Sequence, residues 1–177
     1  MATTIQNFFS RAAEKQFARD FLFRVKQINV EGVSFDGDSD LVYARSAQLP
    51  GRNIENKTVN YYGQTFNVPG KSTYPGSEAY SIEFFHDENN ELRTKFEAAS
   101  RAVFNNETST GQYGLPGDGD LITLDVIDKD LNTIQTIQLV GASIRDINAI
   151  DYSIADGTGE ILNTTVTFSY HFYRDFS

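Results

Sequence analysis

From Thr165 to Phe172 the chain alternates strictly: Val166, Phe168, Tyr170 and Phe172 fall on one side, Thr165, Thr167, Ser169 and His171 on the other. A period of two cannot form one face of a helix; it is the mark of a strand with one face buried. A strand of this kind needs paired neighbours and an apolar layer over it, so it commits the chain to a sheet-based core. The same alternation recurs in 20–30, where Phe21, Phe23 and Val25 oppose Arg24 and Lys26, and in 78–85, through Tyr80, Ile82 and Phe84. Further strands are expected at 41–47, in a hairpin over 59–70, in a second hairpin of 121–128 and 133–144, and in a short piece near 148–154. Gly and Pro punctuate them: Pro50-Gly51, Gly63-Gln64 as a type II′ turn, and Pro69-Gly70. Segments 32–40, 105–119 and 155–160 read as loops.

Two segments have helical periodicity instead. In 3–17, Ile5, Phe8, Phe9, Ala12, Ala13 and Phe17 recur at spacings of three and four. In 88–104, Leu92, Phe96, Ala99 and Val103 line one face. Asp87 suits the cap of this helix, and Glu88 and Glu91 suit its dipole. The expected architecture is mainly β with two helices (α+β), an antiparallel sandwich or barrel-like fold with helices packed on it, in a single domain spanning 1–177.

The charge balance narrows function. With 15 Lys+Arg against 24 Asp+Glu the formal charge is −9 and the pI about 4.6. This argues against a nucleic-acid grip, which needs a basic stripe, and against anchoring on anionic lipid. No stretch approaches the roughly 20 apolar residues of a membrane helix, and the N-terminal residues show no secretory pattern, so a soluble product made in the cytoplasm is expected. With 0 Cys and 2 His, disulfides and zinc–thiolate sites are excluded, and a Ser-His-Asp triad has little material.

Other chemistry finds no support. Asp36, Asp38 and Asp40 resemble the start of a calcium loop, but the places that need Gly and Glu hold Leu41 and Ala47. Asp118 and Asp120 read as a solvated acidic turn, and His86 and His171 as surface or packing residues. There is no phosphate-binding glycine motif. No catalytic residue, cofactor or metal is expected, and an enzyme is the least supported class. The more useful oddity is aromatic: Tyr61, Tyr62, Phe66, Tyr74 and Tyr80 crowd around a Gly/Pro-punctuated segment. They are either hairpin packing or contact with a partner, since aromatic rings bring large buried area.

An ordered series of segments carries a resemblance across most of the chain. The amphipathic N-terminal helix leads into ARDFLFRV (18–25). ARSAQLPGRNI (44–54) follows, then YYGQTFNVPG (61–70) with Tyr74 behind it, SIEFFHDENNELRTKFEAAS (81–100), and the terminal VTFSYHFYRDF (166–176). In this order the chain resembles the tail tube proteins of contractile-tailed, T-even-like bacteriophages. It departs from them in having no Trp, which the family often carries near the position of Ala99.

The resemblance implies a non-enzymatic subunit of hexameric rings, stacked into the inner tube of a phage tail inside a contractile sheath. The implied partners are other copies of the chain, the sheath protein, and baseplate and tail-terminator proteins. DNA would pass through the lumen without specific binding, and the tube would be assembled in the host bacterial cytoplasm and reside in the virion. A ring of six would carry −54, a sign that repels phosphate along a conduit. The segment 49–70 is expected to reach the neighbouring ring, through Leu49, Pro50, Gly51, Arg52 and Ile54 and through Tyr62, Phe66 and Pro69. Phe8 and Phe9 are a second candidate contact, Tyr173 and Phe176 a third. The hydroxyl face of Thr165, Thr167 and Ser169 is the expected lumen face. Alternatives are the tube of a bacteriocin or of an extracellular or type VI injection system, a baseplate tube initiator, and, from a different class, a carbohydrate-binding β-sandwich module.

Overall fold

The computed structural model describes residues 19–37, 39–153, 157 and 159–176. The helix expected over 3–17, with Phe8 and Phe9, lies outside them. Two antiparallel sheets carry the chain. The first has five strands in the order β13-β10-β9-β1-β2: β1 (Phe23–Val30), β2 (Val33–Asp36), β9 (Leu121–Ile127), β10 (Thr133–Val140) and β13 (Phe172–Phe176). The second has four in the order β11-β12-β6-β3: β3 (Ala44–Ser46), β6 (Tyr80–Phe85), β11 (Ser143–Ile147) and β12 (Asn163–Ser169). Neither sheet closes on itself. Two further ribbons stand apart, β4 (Asn53–Tyr61) with β5 (Gln64–Thr73), and the short β7 (Phe104–Asn105) with β8 (Thr110–Gly111) inside the expected 105–119 loop.

The alternating residues build one core. Val25, Ile28, Phe35, Ile122 and Leu139 of the first sheet join Ile82, Phe84, Val166 and Phe168 of the second in a single buried cluster. Helix α1 (Glu91–Val103) contributes Leu92, Phe96 and Ala99. Phe96 is its keystone: its ring stacks on Phe35 at 4.4 Å and lies 5.3 Å from Phe84 and 6.1 Å from Phe168, so it touches strands of both sheets. The helix starts later than the periodicity suggests, because Asn90 stands before it in the left-handed region (φ 58°). Asp87 still caps it from upstream, accepting the Glu91 N–H at 2.7 Å.

Two expected long strands are each divided in two. The expected strand 133–144 breaks at Gly141 (φ 68°), and the terminal strand breaks at Tyr170–His171. At these points both segments pass from one sheet to the other. The corners lie side by side: the His171 N–H donates to the Val140 carbonyl at 2.9 Å. A Cβ on Gly141 would sit 2.1 Å from the His171 ring, so glycine serves here for its backbone and for its lack of bulk. The short strand expected near 148–154 is displaced to β11, and 148–153 is irregular. The expected strand 41–47 is a 3-10 turn, Leu41–Tyr43, followed by β3.

Candidate assembly surface

The 59–70 hairpin is longer than its sequence suggests. It runs from Asn53 to Thr73 and, among the described residues, pairs with no other strand. All residues of β4 are exposed, as are those of β5 except its last, Thr73. At about 3.4 Å per residue, the ribbon is an arm roughly 30 Å long. Its turn is Tyr62-Gly63, not Gly63-Gln64. With φ of 48° and 76° it has the two positive values of a type I′ turn, in place of the expected II′.

Register divides the arm into two faces. Val59 pairs with Phe66, Lys57 with Val68, and Tyr61 with Gln64, so Val59, Tyr61, Phe66 and Val68 share a side, with Lys57 and Gln64 at its margins. The pairing then shifts by one residue between Ile54 and Asn56, and Ile54 pairs with Ser72. Between these pairs the chain advances two residues on β4 and three on β5, so the extra residue lies on β5, β4 keeps its alternation, and Ile54 falls on the side of Asn56, Thr58 and Asn60. The other side holds Asn56, Thr58, Asn60, Thr65, Asn67 and Pro69, with the Thr65 hydroxyl donating to Asn60 Oδ1 at 2.9 Å. Gly70 sits at the bulge, where a Cβ would fall 2.9 Å from the Glu55 carbonyl oxygen. Lys71 and Glu55 form an ion pair at 3.6 Å. At the tip Tyr62 is 90% exposed and meets Tyr61 edge-on at 4.6 Å.

The structure thus splits the expected contact residues. Phe66 lies on the apolar face, Ile54 and Pro69 on the polar one, and Tyr62 at the tip. Leu49, Pro50, Gly51 and Arg52 form the root. The root is held by Tyr80, whose buried hydroxyl donates to the Gln48 carbonyl. Leu49 borders an apolar groove of about 210 Å³ whose lining includes Leu22, Phe23, Leu124 and Val126. The crowd of aromatics divides the same way. Tyr74 and Tyr80 pack within the chain on Tyr173 and Tyr170, while Tyr61, Tyr62 and Phe66 face outward. Tyr173 is therefore held against Tyr74, and Phe176 is the half-exposed aromatic of β13. Sequence reasoning did not single out Val59 and Val68 for the contact. Their i, i+2 spacing with Tyr61 and Phe66 was the available signal.

Thr165, Thr167 and Ser169 share the outward side of β12. Ser169 Oγ lies 2.8 Å from Ser143 Oγ, and Thr167 Oγ1 lies 3.0 Å from Ser81 Oγ, forming a hydroxyl ladder over three strands. On the outward side of the five-stranded sheet Asp125 has no exposed side-chain surface. It accepts hydrogen bonds from Arg24 at 2.9 Å and from the Thr136 and Thr133 hydroxyls at 2.7 and 3.3 Å. Burial raises its pKa, but the bonds from Arg24 and Thr136 and the charge of Lys26 outweigh burial and hold the carboxyl below its ordinary range. This is a hydrogen-bonded ion pair that ties β1, β9 and β10 together. Asp40 pairs with Lys95 rather than with a metal, and Asp38 lies outside the described residues. Among the described residues no group of three His, Asp or Glu could hold a metal ion. His86 lies between Thr164 Oγ1 at 3.1 Å and the Tyr152 hydroxyl at 3.0 Å, a loop clamp.

No family model and no curated protein matches the sequence. Solved structures do match, over nearly the whole chain. A chain of the anti-feeding prophage baseplate, a six-fold symmetrised cryo-EM structure, is 13% identical with a TM-score of 0.63, covering 92% of this chain and 97% of that one. A chain of the anti-feeding prophage tube-terminating cap is 9% identical, with a TM-score of 0.57 and coverage of 92% and 93%. A chain of the extended sheath–tube complex of an extracellular contractile injection system is 12% identical, with a TM-score of 0.51 and coverage of 99% of each. At these identities the likeness is one of fold. The chain has the fold found in components of contractile injection systems.

Proposed function

We propose that this chain is a structural tube subunit of a contractile tail machine, with its two sheets packed as a sandwich, forming hexameric rings that stack into a hollow conduit inside a sheath. The observation that carries the proposal is the end-to-end fold likeness to chains of a baseplate, a tube cap and a sheath–tube complex. A chain that departs from its neighbours by a whole domain would not cover 92% or more of their length. The arm agrees with this reading, because a lone two-stranded ribbon is marginal in water and is stabilised by docking. Ring closure and stacking are both head-to-tail contacts, the kind that generates rings and filaments.

In this reading the arm and its root, Leu49 to Arg52, reach a neighbouring copy, Phe176 adds to a contact at the end of β13, and the hydroxyl ladder of Thr165, Thr167 and Ser169 faces the lumen. A lumen that shared the net negative sign of the chain would repel DNA phosphates and let a genome slide. The series of tail-tube-like motifs favours a bacteriophage tail. The injection-system origin of the structural neighbours favours a phage-derived secretion machine. The gene neighbourhood separates the two: capsid and terminase genes against toxin genes.

The test is negative-stain electron microscopy with size-exclusion chromatography of the purified chain, alone and with a baseplate template. Six-fold rings or hollow filaments are expected. A species that stays monomeric under both conditions, yet binds glycans on an array, would replace this reading with the carbohydrate-binding one.

A further inference from the structure

The arm is chemically unlike the body that carries it. Residues 49–73 hold three cations, Arg52, Lys57 and Lys71, against the carboxylate of Glu55, a net +2. The whole chain is −9, so the remainder carries −11. One side of the arm carries an apolar strip that is unpartnered among the described residues: Val59, Tyr61, Phe66 and Val68 are each 46–66% exposed. Aromatic side chains bury about 150–250 Å² when covered, so this face is on the order of 400–500 Å². That is the size of patch that marks an interaction site on a monomer. It is also about half of the roughly 800 Å² per partner of a standard stable interface.

We infer that the Val59–Tyr61–Phe66–Val68 face of the arm docks onto the body of a second copy of this chain, while the Asn56–Thr58–Asn60–Thr65–Asn67 face stays in water. The inference rests on the proposed self-assembly and adds which side of the arm is buried and what covers it. Three observations point to a second copy. A cationic arm is attracted to an acidic body, and the body of every copy is acidic. The body also carries a matching apolar surface: the groove lined by Leu22, Phe23, Leu49 and Val126, with Phe21 (70% exposed) and Leu131 (71% exposed) at the same end of the five-stranded sheet. Finally, the arm supplies only half a standard interface, which suits a contact repeated around and along an assembly rather than a lone dimer.

The bulge sets the extent of the contact: the apolar strip ends at Lys57 and Val68, and beyond them the extra residue on β5 turns Lys71 to the side of Glu55. The Lys71–Glu55 pair beside it neutralises the one carboxylate of the arm, which would otherwise face an acidic partner.

Adjacent positions on opposite faces make the test. V59D and T58D place the same charge on the same exposed strand, one residue apart, as do F66D and N67D on the partner strand. Each full-length variant is compared with wild type by sedimentation velocity over a concentration series and by electron microscopy, with thermal unfolding to show an intact body. V59D and F66D are expected to raise the concentration needed for self-association roughly 30-fold or more, since each puts a charge into an apolar contact. T58D and N67D are expected to stay within about three-fold of wild type. Wild type that assembles while both pairs respond alike, or while T58D and N67D are the more damaging, overturns the face assignment and leaves the tube reading standing. Wild type that never self-associates, with or without a template, refutes both.

Discussion

Phe96→Ala tests the joint between sequence pattern and fold. Phe96 is fully buried and its ring meets Phe35, Phe84 and Phe168. Its removal loses the transfer free energy of a large side chain and opens a cavity between the two sheets. The lining comes from the rigid elements β2, β6 and β12, which can close in only partly. The expected cost is therefore at the upper end of the 3–5 kcal/mol range for Phe→Ala, a large share of the roughly 5–15 kcal/mol that holds a domain folded. Phe66→Ala is the internal control. It makes the same chemical change on the arm, where the ring is half exposed and contributes nothing to the core, and should cost the monomer less than about 0.5 kcal/mol. Urea unfolding at low protein concentration, followed by tyrosine fluorescence and far-UV circular dichroism, reads both on one scale. A loss below about 1.5 kcal/mol for Phe96→Ala would refute the claim that the helix is bonded to both sheets through this ring. A loss near that of Phe96→Ala for Phe66→Ala would show that the arm folds back on its own body.

Asp125→Ala strands two threonine hydroxyls and frees Arg24, and is expected to cost about 2–3 kcal/mol, given the strength of bonds to a charged acceptor. Because the folded-state pKa of Asp125 is depressed, its contribution is fully present above its ordinary pKa near 3.8. It is lost as pH falls through the lower folded value, so acid titrations of wild type and variant should converge only at the acid end. Glu31 behaves oppositely: burial, then repulsion from Asp120, raises its pKa. Its ionisation destabilises the fold as pH rises from its ordinary value through the folded one, so Glu31→Gln should be slightly more stable at neutral pH and should flatten that part of the profile in thermal melts. Gly141→Ala should cost about 1–3 kcal/mol through the left-handed backbone. His171→Ala in the same chain should recover only the part due to the ring clash; complete recovery would mean that backbone strain plays no part.

Local pattern alone determined most of the strands and their inward faces, but not 41–47 or 148–154, and not Phe21, which was expected beside Phe23 and Val25 and instead precedes β1 and is 70% exposed. Alternation in 20–30, 78–85 and 163–169 put Val25, Ile82, Phe84, Val166 and Phe168 into the core, because which side of a strand is apolar is written in consecutive residues. The 3.6-residue spacing of Leu92, Phe96 and Ala99 likewise fixed the buried side of the helix, although not its first turn. Pattern could not show where a strand leaves one sheet for another. Tyr170–His171 lies inside a run that keeps alternating and Gly141 inside the unbroken non-polar run Leu139–Ala142, and the break is made where the two corners pair, His171 N–H to the Val140 carbonyl. The adhesive face of the arm was half legible: the spacing of Val59, Tyr61, Phe66 and Val68 is local, whereas the end of the strip on β5, where Lys71 comes to the side of Glu55, depends on a one-residue shift in register. Such a shift is a property of two strands together, set by their hydrogen bonds and by the room that Gly70 leaves beside the Glu55 carbonyl. The burial of Asp125 has the same origin, since its partners Arg24, Thr133 and Thr136 are brought together by pairing across β1, β9 and β10 and by nothing adjacent in the chain.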